Sequence, residues 1–207
     1  MENVIQSVEH AKLEAFRWAA QSGADAPRMM QLAGEWFSKQ TFPVTLQDLT
    51  LNLQYFNTCV NSAASVWELH AQNSAITASS WSRETVKHLA IINVAGIAGT
   101  AAILAMPNGL EGNGIKIALV SFLLGVLLAV LTLWLMTQGH AKRGMGAVAH
   151  ANKIKESASW ESYVAAVGRK YHDAGMVWFR YSEAAGWISA LAAVAGGISI
   201  CTALFRT

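Results

Sequence analysis

The chain has 207 residues, of which 53% are hydrophobic and only 14% charged. Soluble domains average about 25% charged residues, so this composition excludes a disordered chain or one that coats nucleic acid. The formal net charge is +2, which leaves no basic surface for a phosphate backbone. Only three prolines interrupt the sequence. The composition therefore predicts an all-α integral membrane protein.

Residues 1–86 are predicted to form a cytoplasmic helical region. Glycine and proline interrupt the helical pattern at residues 23–27 and 41–43, so three helices are expected. Glu2, Glu9 and Glu14 divide the apolar residues at the N-terminus, and no secretory signal is predicted there. The chain is expected to enter the membrane through internal segments.

The third of these helices carries a regular apolar seam. Thr45 followed by Asp48 forms a pattern typical of a capping box and marks its start. Apolar or small residues then recur at steps of three and four, the heptad spacing of a helix that packs along one stripe. The seam consists of Leu46, Leu49, Leu53, Phe56, Val60, Ala63 and Trp67. Its expected partner is the stripe Val4, Val8, Ala11, Ala15 and Trp18, and another copy of the chain is the alternative.

Three segments are long and apolar enough to span a membrane. Residues 89–106, 117–136 and 184–205 contain no ionisable side chain. At 1.5 Å per residue each is sufficient for a hydrocarbon core of about 30 Å. The predicted organisation adds to the first region a transmembrane hairpin at 87–138, a basic and aromatic cytoplasmic segment at 139–183, and a third span with a short tail at 184–207. A buried helix in a soluble domain is the alternative for the third segment.

The distribution of basic residues predicts the orientation. The hairpin turn, Pro107 to Gly114, contains a single charged residue, Glu111. The segment after the second span contains Lys142, Arg143, Lys153, Lys155, Arg169, Lys170 and Arg180. Cytoplasmic loops carry the excess of Lys and Arg, so we expect the N-terminus in the cytoplasm and the C-terminus on the opposite side of a bacterial inner (plasma) membrane.

Small residues at four-residue spacing predict close helix packing in the first and third spans. The candidate packing residues are Ala95, Ala98, Gly99, Ala102, Gly186, Ala190, Ala192, Ala193, Gly196 and Gly197. Small side chains let helix backbones approach where lipid supplies no hydrophobic driving force. We expect these two spans to pack on each other or on copies of themselves, with the Leu-rich second span, which has a lone Gly125, facing lipid.

Two long helices are predicted to continue from the spans as stalks. No proline or glycine separates Leu46 from Val94, so one helix is expected there. A stripe of aromatic and small residues leads without proline into the third span: Trp160, Tyr163, Val167, Tyr171, Ala174, Trp178 and Tyr181. We interpret it as the core between the stalks, with contact to anionic lipid headgroups as the alternative.

Patterns typical of catalysis are sparse. Arg83 with His88, and Arg143 with His150, have a spacing similar to that of the arginine and histidine of HEPN-type ribonucleases. That resemblance implies proton transfer by histidine and phosphate binding by arginine. Both pairs adjoin predicted spans, where basic residues anchor the topology, and we favour this second interpretation. The spacing of the histidines and the two cysteines indicates no metal or cofactor.

Two non-enzymatic functions fit these features. The first is a self-associating protein whose cytoplasmic helices sense or dock a partner and whose spans form a pore or disrupt the membrane. The second is a passive anchor or scaffold subunit of a larger complex. A membrane-tethered ribonuclease is the third hypothesis. The expected partners are the lipid bilayer, copies of the chain and a cytoplasmic protein, and nucleic acid is not expected.

Overall fold

The protein is almost entirely helical, which fits the all-α class. A computed structural model describes residues 4–106, 113–169 and 175–205, except for the side chains of residue 75 and residues 77–82. The elements in chain order are β1 (Val4–Ile5), α1 (Val8–Ser22), α2 (Ala26–Ser38), β2 (Val44–Thr45), α3 (Leu46–Leu104), α4 (Asn113–Lys155), α5 (Trp160–Gly168) and α6 (Met176–Leu204). Most of the predicted hairpin turn, together with Lys170, Tyr171 and Ala174, lies outside the described residues.

Three helices are long and apolar enough to cross a membrane. The candidate spans are Arg83–Leu104 within α3, the helix α4 and the helix α6. They contain the predicted segment 117–136 and nearly all of 89–106 and 184–205, which extend one or two residues past the ends of α3 and α6. The two-residue strands β1 and β2, which the sequence analysis did not predict, pair antiparallel with Val4 opposite Thr45 and Ile5 opposite Val44.

The long helices differ in part from the predicted stalks. α3 is one helix of 59 residues, as expected from the absence of proline and glycine. The aromatic stripe, however, is divided between α5, which ends at Gly168, and α6, which begins at Met176. Among the amino acids only proline is less favourable than glycine in a helix, so Gly168 is a natural helix end. Arg169, which follows it, has an extended backbone at φ −68° and ψ 121°. The second long helix is instead α4, whose 43 residues continue past the second span to Lys155.

The chain divides into two compact units. The first unit consists of residues 1–71 and 145–172, and the second unit of residues 72–144 and 173–207. These divisions fall within α3, within α4 and just before α6. The predicted boundaries after residues 86, 138 and 183 separate cytoplasmic from membrane segments, and they stay a prediction.

Local signals in the sequence place the helix ends of the first unit. The Ser7 side chain accepts from His10 N at the start of α1, and that of Asp25 accepts from Arg28 N at the start of α2. Gly23, at φ +69°, closes α1 by donating its N–H to Ala19 O. Thr45 and Asp48 form the reciprocal cap at the start of α3, with Thr45 N to Asp48 Oδ2 at 3.0 Å and Asp48 N to Thr45 Oγ1 at 3.2 Å. These caps satisfy backbone donors that have no partner inside the helix.

The apolar seam of α3 lies in the core of the first unit. Leu49, Leu53, Phe56 and Val60 are each at most 1% exposed, and Leu46, Ala63 and Trp67 pack against the same cluster. The cluster is completed by Ala11, Ala15 and Ala19 of α1, Met29, Leu32 and Ala33 of α2, and Ala151 and Ile154 of α4. Of the expected partner stripe, Ala11 and Ala15 are fully buried, Trp18 is partly buried, and Val4 lies in β1 with 44% of its surface exposed.

Candidate functional site: helix packing in the second unit

The buried stripe of α4 contacts both α3 and α6. Its members follow at steps of three and four residues: Ile115, Ala118, Phe122, Gly125, Ala129, Thr132, Leu135 and Gly139. Apart from Leu135, the leucines fall on the other faces, and Leu123, Leu124 and Leu127 are 48–60% exposed. We had expected the second span to face lipid and the other two spans to pack together. The structure instead places α4 against both neighbours, because its small residues, more than its leucines, lie on this stripe.

A polar contact joins the three spans. Asn93 of α3 is completely buried and donates from Nδ2 to Leu89 O at 2.8 Å and to Ser189 Oγ at 3.5 Å. Ser189 of α6, also completely buried, donates to Gly125 O of α4 at 2.8 Å. A Cβ at Gly125 would lie 2.0 Å from Asn93 Oδ1, so only glycine leaves room for this amide. The contact therefore depends on one residue from each span.

Phe122 fills a cleft between two glycines one turn further along. A Cβ at Gly96 of α3 would lie 2.4 Å from the Phe122 ring, and a Cβ at Gly196 of α6 would lie 2.8 Å from it. Both glycines thus present bare backbone to the same aromatic ring of α4. This is the small-residue packing that membrane helices require, with a large ring as its partner.

Close contacts continue at both ends of α4 and α6. At one end, a Cβ at Gly114 would lie 3.2 Å from the Cβ of Ala203. At the other end, a Cβ at Gly175 would lie within 2.3 Å of Gly139 O, and Phe179 packs on Gly139. From Gly114 to Gly139 the paired region covers about 25 residues, or about 37 Å of helix. The two helices therefore pack antiparallel over a length sufficient for a hydrocarbon core of about 30 Å.

The hydroxyl groups inside the spans are hydrogen bonded within the chain. Thr100 Oγ1 donates to Gly96 O at 2.7 Å, and Thr132 Oγ1 donates to Leu128 O at 2.8 Å. Ser182 Oγ of α6 donates to Thr132 O of α4 at 3.1 Å. Thr100, Thr132 and Ser182 are each at most 4% exposed. These polar groups thus lie in the interior of the bundle.

The predicted packing residues fall into two groups. Ala192 and Gly196 are buried, and Gly186, Ala190 and Ala193 are partly buried. Ala95, Ala98, Gly99 and Ala102 are exposed on α3, and a Cβ at Gly99 or Gly197 would have no neighbour within 4 Å. Asn93, Gly96 and Phe122 were not among the predicted packing residues, because each of them meets its partner on another helix.

A groove of about 680 Å³ opens where α3, α4 and α6 diverge beyond these contacts. Leu89, Met136, Phe179 and Trp187 form most of its apolar wall. Thr85, His140 and Glu183 add polar groups to its lining. Gly186 and Ala190 of α6 leave the space open, since the nearest atom to a Cβ at Gly186 is Thr132 Cγ2 at 3.8 Å. The lining therefore combines apolar and polar side chains from all three helices.

Phe179 also positions basic and aromatic groups beside the groove. The Arg143 guanidinium lies 4.8 Å from the centroid of the Phe179 ring, and the His140 ring meets the same ring edge-on at 4.8 Å. Trp134 and Trp178 form an edge-to-face pair at 5.9 Å. Tryptophans at one end of a span are typical of the membrane interface.

The polar contacts of the first unit converge on the end of α4. Arg28 of α2 donates to Lys155 O at 2.5 Å and to Asn57 Oδ1 at 2.9 Å, and Lys155 pairs with Glu68 at 2.5 Å. Burial lowers the pKa of the Arg28 guanidinium. A cation on the last carbonyls of a helix is favourable, because those groups have no partner inside the helix. These contacts hold α2, α3 and the end of α4 together within the first unit.

The proposed ribonuclease pairs have different environments. Arg83 and His88 are exposed on α3, and their five-residue spacing turns them about 140° apart around the helix axis. His150 is 8% exposed, its ring meets Trp67 at 4.4 Å, and burial with the charges of Lys153 and Arg169 lowers its pKa. Arg143 lies over Phe179. On this geometry Arg83 and His88 do not point toward one phosphate, and His150 is a buried side chain packed on Trp67.

The comparisons with known proteins add no functional assignment. No family model, curated protein or solved structure matches the chain. Within residues 4–106, 113–169 and 175–205, no group of three His, Cys, Asp or Glu side chains is placed to hold a metal ion. The function is therefore proposed from the packing and polarity of the two units.

Proposed function

We propose that the chain is a non-enzymatic membrane anchor. Its three spans form a self-contained bundle, and its first unit docks a soluble partner. The observation that carries the proposal is the position of the polar groups, because Asn93, Ser182 and Ser189 hydrogen bond between the helices of one chain. Such a bundle exposes an apolar surface to lipid, and the donors of these three side chains already have partners within the chain.

The outward faces of the spans support this proposal. Their exposed large side chains are apolar. Trp134, Trp187 and Phe205 lie near the span ends, and the aliphatic members include Ile91, Ile92, Val94, Val120, Leu127, Val130, Leu191 and Val194. A water-filled pore needs polar or small residues along its axis. The hydroxyls of Thr132, Ser182 and Ser189, which could line such a pore, are buried between helices instead. Opening a pore lined by them would require the bundle to separate.

The first unit would face the cytoplasm and hold the partner. The positive-inside rule supports this location, because the basic residues that follow the second span extend along α4 into this unit. The seam of α3 is already filled by α1, α2 and α4, so the partner would contact other faces of the unit. We therefore place the N-terminus in the cytoplasm and the C-terminus on the opposite side of a bacterial plasma membrane.

Assembly into a pore is a second candidate, favoured by one observation. Gly99 and Gly197 lie on outward faces where an added Cβ has no neighbour within 4 Å. Together with the exposed alanines of α3, they leave space for a helix of another copy to approach. In such an assembly these residues, and not the buried hydroxyls, would form the contact between copies.

Vesicle leakage combined with light scattering separates the two candidates. The full chain is reconstituted into dye-filled vesicles, and its mass in detergent is measured by light scattering. The anchor proposal expects a monomer or small oligomer and no leakage above empty vesicles at any protein-to-lipid ratio. A large closed oligomer with leakage that Gly99→Leu or Gly197→Leu abolishes would reject the anchor and support the pore. The same sample should cleave no RNA, and cleavage lost in His150→Ala would revive the ribonuclease hypothesis.

A further inference from the structure

We propose that the chain pairs with a second copy of itself through the outward face of α3 in the first unit, with the two α3 helices parallel about a two-fold axis. This contact is separate from the seam of α3, which lies in the core, and from the glycines of the spans. It goes beyond the anchor function, which does not require pairing. The parallel direction rests on insertion of both copies into one membrane, as the proposed function has it.

A second stripe runs along α3 on the side that the core leaves uncovered. The members of this outward stripe follow at steps of three and four residues: Leu51, Tyr55, Thr58, Ser62, Val66 and Leu69. Its four large side chains are 53–64% exposed, and the two hydroxyl residues are exposed as well. The six positions fall within about 80° around the helix axis and extend about 27 Å along it. Such spacing is typical of a helix that packs lengthwise against another helix.

The outward stripe contains no charged residue. Glu68 is the only Asp, Glu, Lys or Arg in the sequence between Asp48 and Arg83, and its carboxylate pairs with Lys155 inside the first unit. A helix surface that meets water normally carries charged residues on its exposed face. The composition of this face is therefore that of a surface covered by protein.

The exposed face of α1 provides a comparison within the same unit. Phe16 is 49% exposed there, much like the residues of the outward stripe. Within two turns of it, however, Lys12 pairs with Glu9 at 2.9 Å and Arg17 pairs with Glu14 at 2.6 Å. The outward stripe of α3 has no residue that could form such a pair, so the two exposed faces differ in charge rather than in exposure.

The absence of charge also favours a second copy as the occupant. Helices select a different partner through complementary charges along the contact, and the outward stripe offers none. In a parallel two-fold pair each residue faces the same residue of the other copy, so an uncharged stripe meets no like-charge repulsion. A lipid surface would favour basic residues beside the apolar ones, and α3 has none before Arg83.

The helix α5 adds apolar surface beside the outward stripe. The ring centroids of Tyr55 and Trp160 are 5.5 Å apart, so Trp160 packs on the stripe itself. Val164 lies one turn further on the same face of α5 and is 64% exposed. Tyr163 fixes α5 to α3 by donating to Cys59 O at 3.4 Å. The surface that a second copy would cover therefore includes residues of both helices.

Charge substitutions in the full chain test the proposal. Self-association is measured in detergent by light scattering over a range of concentrations, and we expect the mass of two chains. Leu69→Glu should weaken self-association at least about tenfold, because the two new carboxylates would face each other. The matched variant Leu13→Glu, at a position of α1 that is 48% exposed, should change it less than about twofold. Circular dichroism checks that both variants are folded.

A mixture of opposite charges tests whether the stripe meets its own copy. Leu69→Lys alone should weaken self-association like Leu69→Glu, and mixing the two variants should restore the mass of two chains. In a chain with Cys59 and Cys201 replaced by serine, Ser62→Cys should cross-link two chains on mild oxidation. The matched variant Ser38→Cys, at an exposed position of α2, should not.

The possible results separate pairing from the anchor function. The pairing is overturned if the chain stays monomeric, if Leu69→Glu and Leu13→Glu act equally, or if the mixture of opposite charges does not pair. It is also overturned if Gly99→Leu separates the copies and Leu69→Glu does not, because the spans would then form the contact. Flotation with vesicles reports insertion independently. An inserted monomer would refute the pairing and retain the anchor, whereas a paired chain that does not insert would refute the anchor alone.

Discussion

Replacement of Gly125 by alanine should destabilise the bundle through a single side chain. The three atoms nearest to the new Cβ are Asn93 Oδ1, Cγ and Nδ2, at 2.0, 2.4 and 2.7 Å. Asn93 is completely buried and held by Leu89 O, so its short side chain cannot move aside without losing that hydrogen bond.

The expected change in the free energy of unfolding is the sum of two destabilising effects and one stabilising effect. Overpacking costs about 1–3 kcal/mol, and a lost hydrogen bond between membrane helices adds about 0.6 kcal/mol. Alanine is more favourable than glycine in a helix interior by up to about 1 kcal/mol, which offsets part of this loss. Gly125→Ala should therefore lower the free energy of unfolding by about 1–3 kcal/mol. The matched variant Gly99→Ala, whose Cβ meets no atom within 4 Å, should leave it unchanged or raise it.

A double-mutant cycle identifies the clash as the cause. Asn93→Ala removes all three atoms that Gly125→Ala would strike, so the double variant should be at least about 1 kcal/mol more stable than the sum of the single changes predicts. Unfolding is measured in mixed micelles with an increasing fraction of denaturing detergent, followed by tryptophan fluorescence. The clash is not the cause if the effects of the two single changes on the free energy of unfolding add to within about 0.5 kcal/mol in the double variant. Equal effects of Gly125→Ala and Gly99→Ala would also contradict it.

Three further perturbations test other parts of the account. Gly96→Ala should lower the stability of the bundle by about 1–3 kcal/mol because its Cβ strikes Phe122, whereas Gly197→Ala should not, and the same detergent titration compares them. Phe56→Ala should destabilise the first unit by about 3–5 kcal/mol, measured by hydrogen exchange of its core amides, and a loss below 1 kcal/mol would contradict the burial of the seam. Folding lowers the pKa of His150, so the unfolded state binds a proton at His150 more readily than the folded state does. The contribution of His150 to stability is therefore present above pH 6.5 and is lost as the pH falls below that value. His150→Gln should reduce this dependence between pH 7 and pH 5 in the same exchange measurement, and an unchanged slope would refute the assignment.

The helices and the apolar segments could be predicted because their signals are local. The long uncharged segments at 89–106, 117–136 and 184–205 coincide with long helices to within two residues, and the cap formed by Thr45 and Asp48 appears where the residues predicted it. The continuous helix through Leu46 and Val94 followed from the absence of proline and glycine. These features depend on composition and spacing over a few turns.

The pairing of the spans could not be predicted in the same way. Small-residue spacing drew attention to Gly99, Gly196 and Gly197, and the structure shows that Gly196 and Gly96, which was not singled out, accept Phe122. Gly196 and Gly197 differ by about 100° in direction around their helix, and Gly96 and Gly99 by about 60°, so spacing alone cannot show which of them meets a partner. The role of Asn93 depends on Gly125 of another helix, which is a tertiary relation. The break between α5 and α6 depended on one glycine, Gly168, that the aromatic pattern obscured.

Cysteine cross-linking in vesicles tests most directly whether one chain forms the complete bundle. In a chain with Cys59 and Cys201 replaced by serine, cysteines are placed at Gly114 and Ala203, where a Cβ at the first position lies 3.2 Å from the Cβ of the second. The two side chains are within the range that a disulfide requires after a small adjustment. Mild oxidation should produce an internal cross-link at the mass of one chain, and each single variant should show none. A cross-link found only at the mass of two chains would show that the spans pair between copies, and would contradict the self-contained anchor.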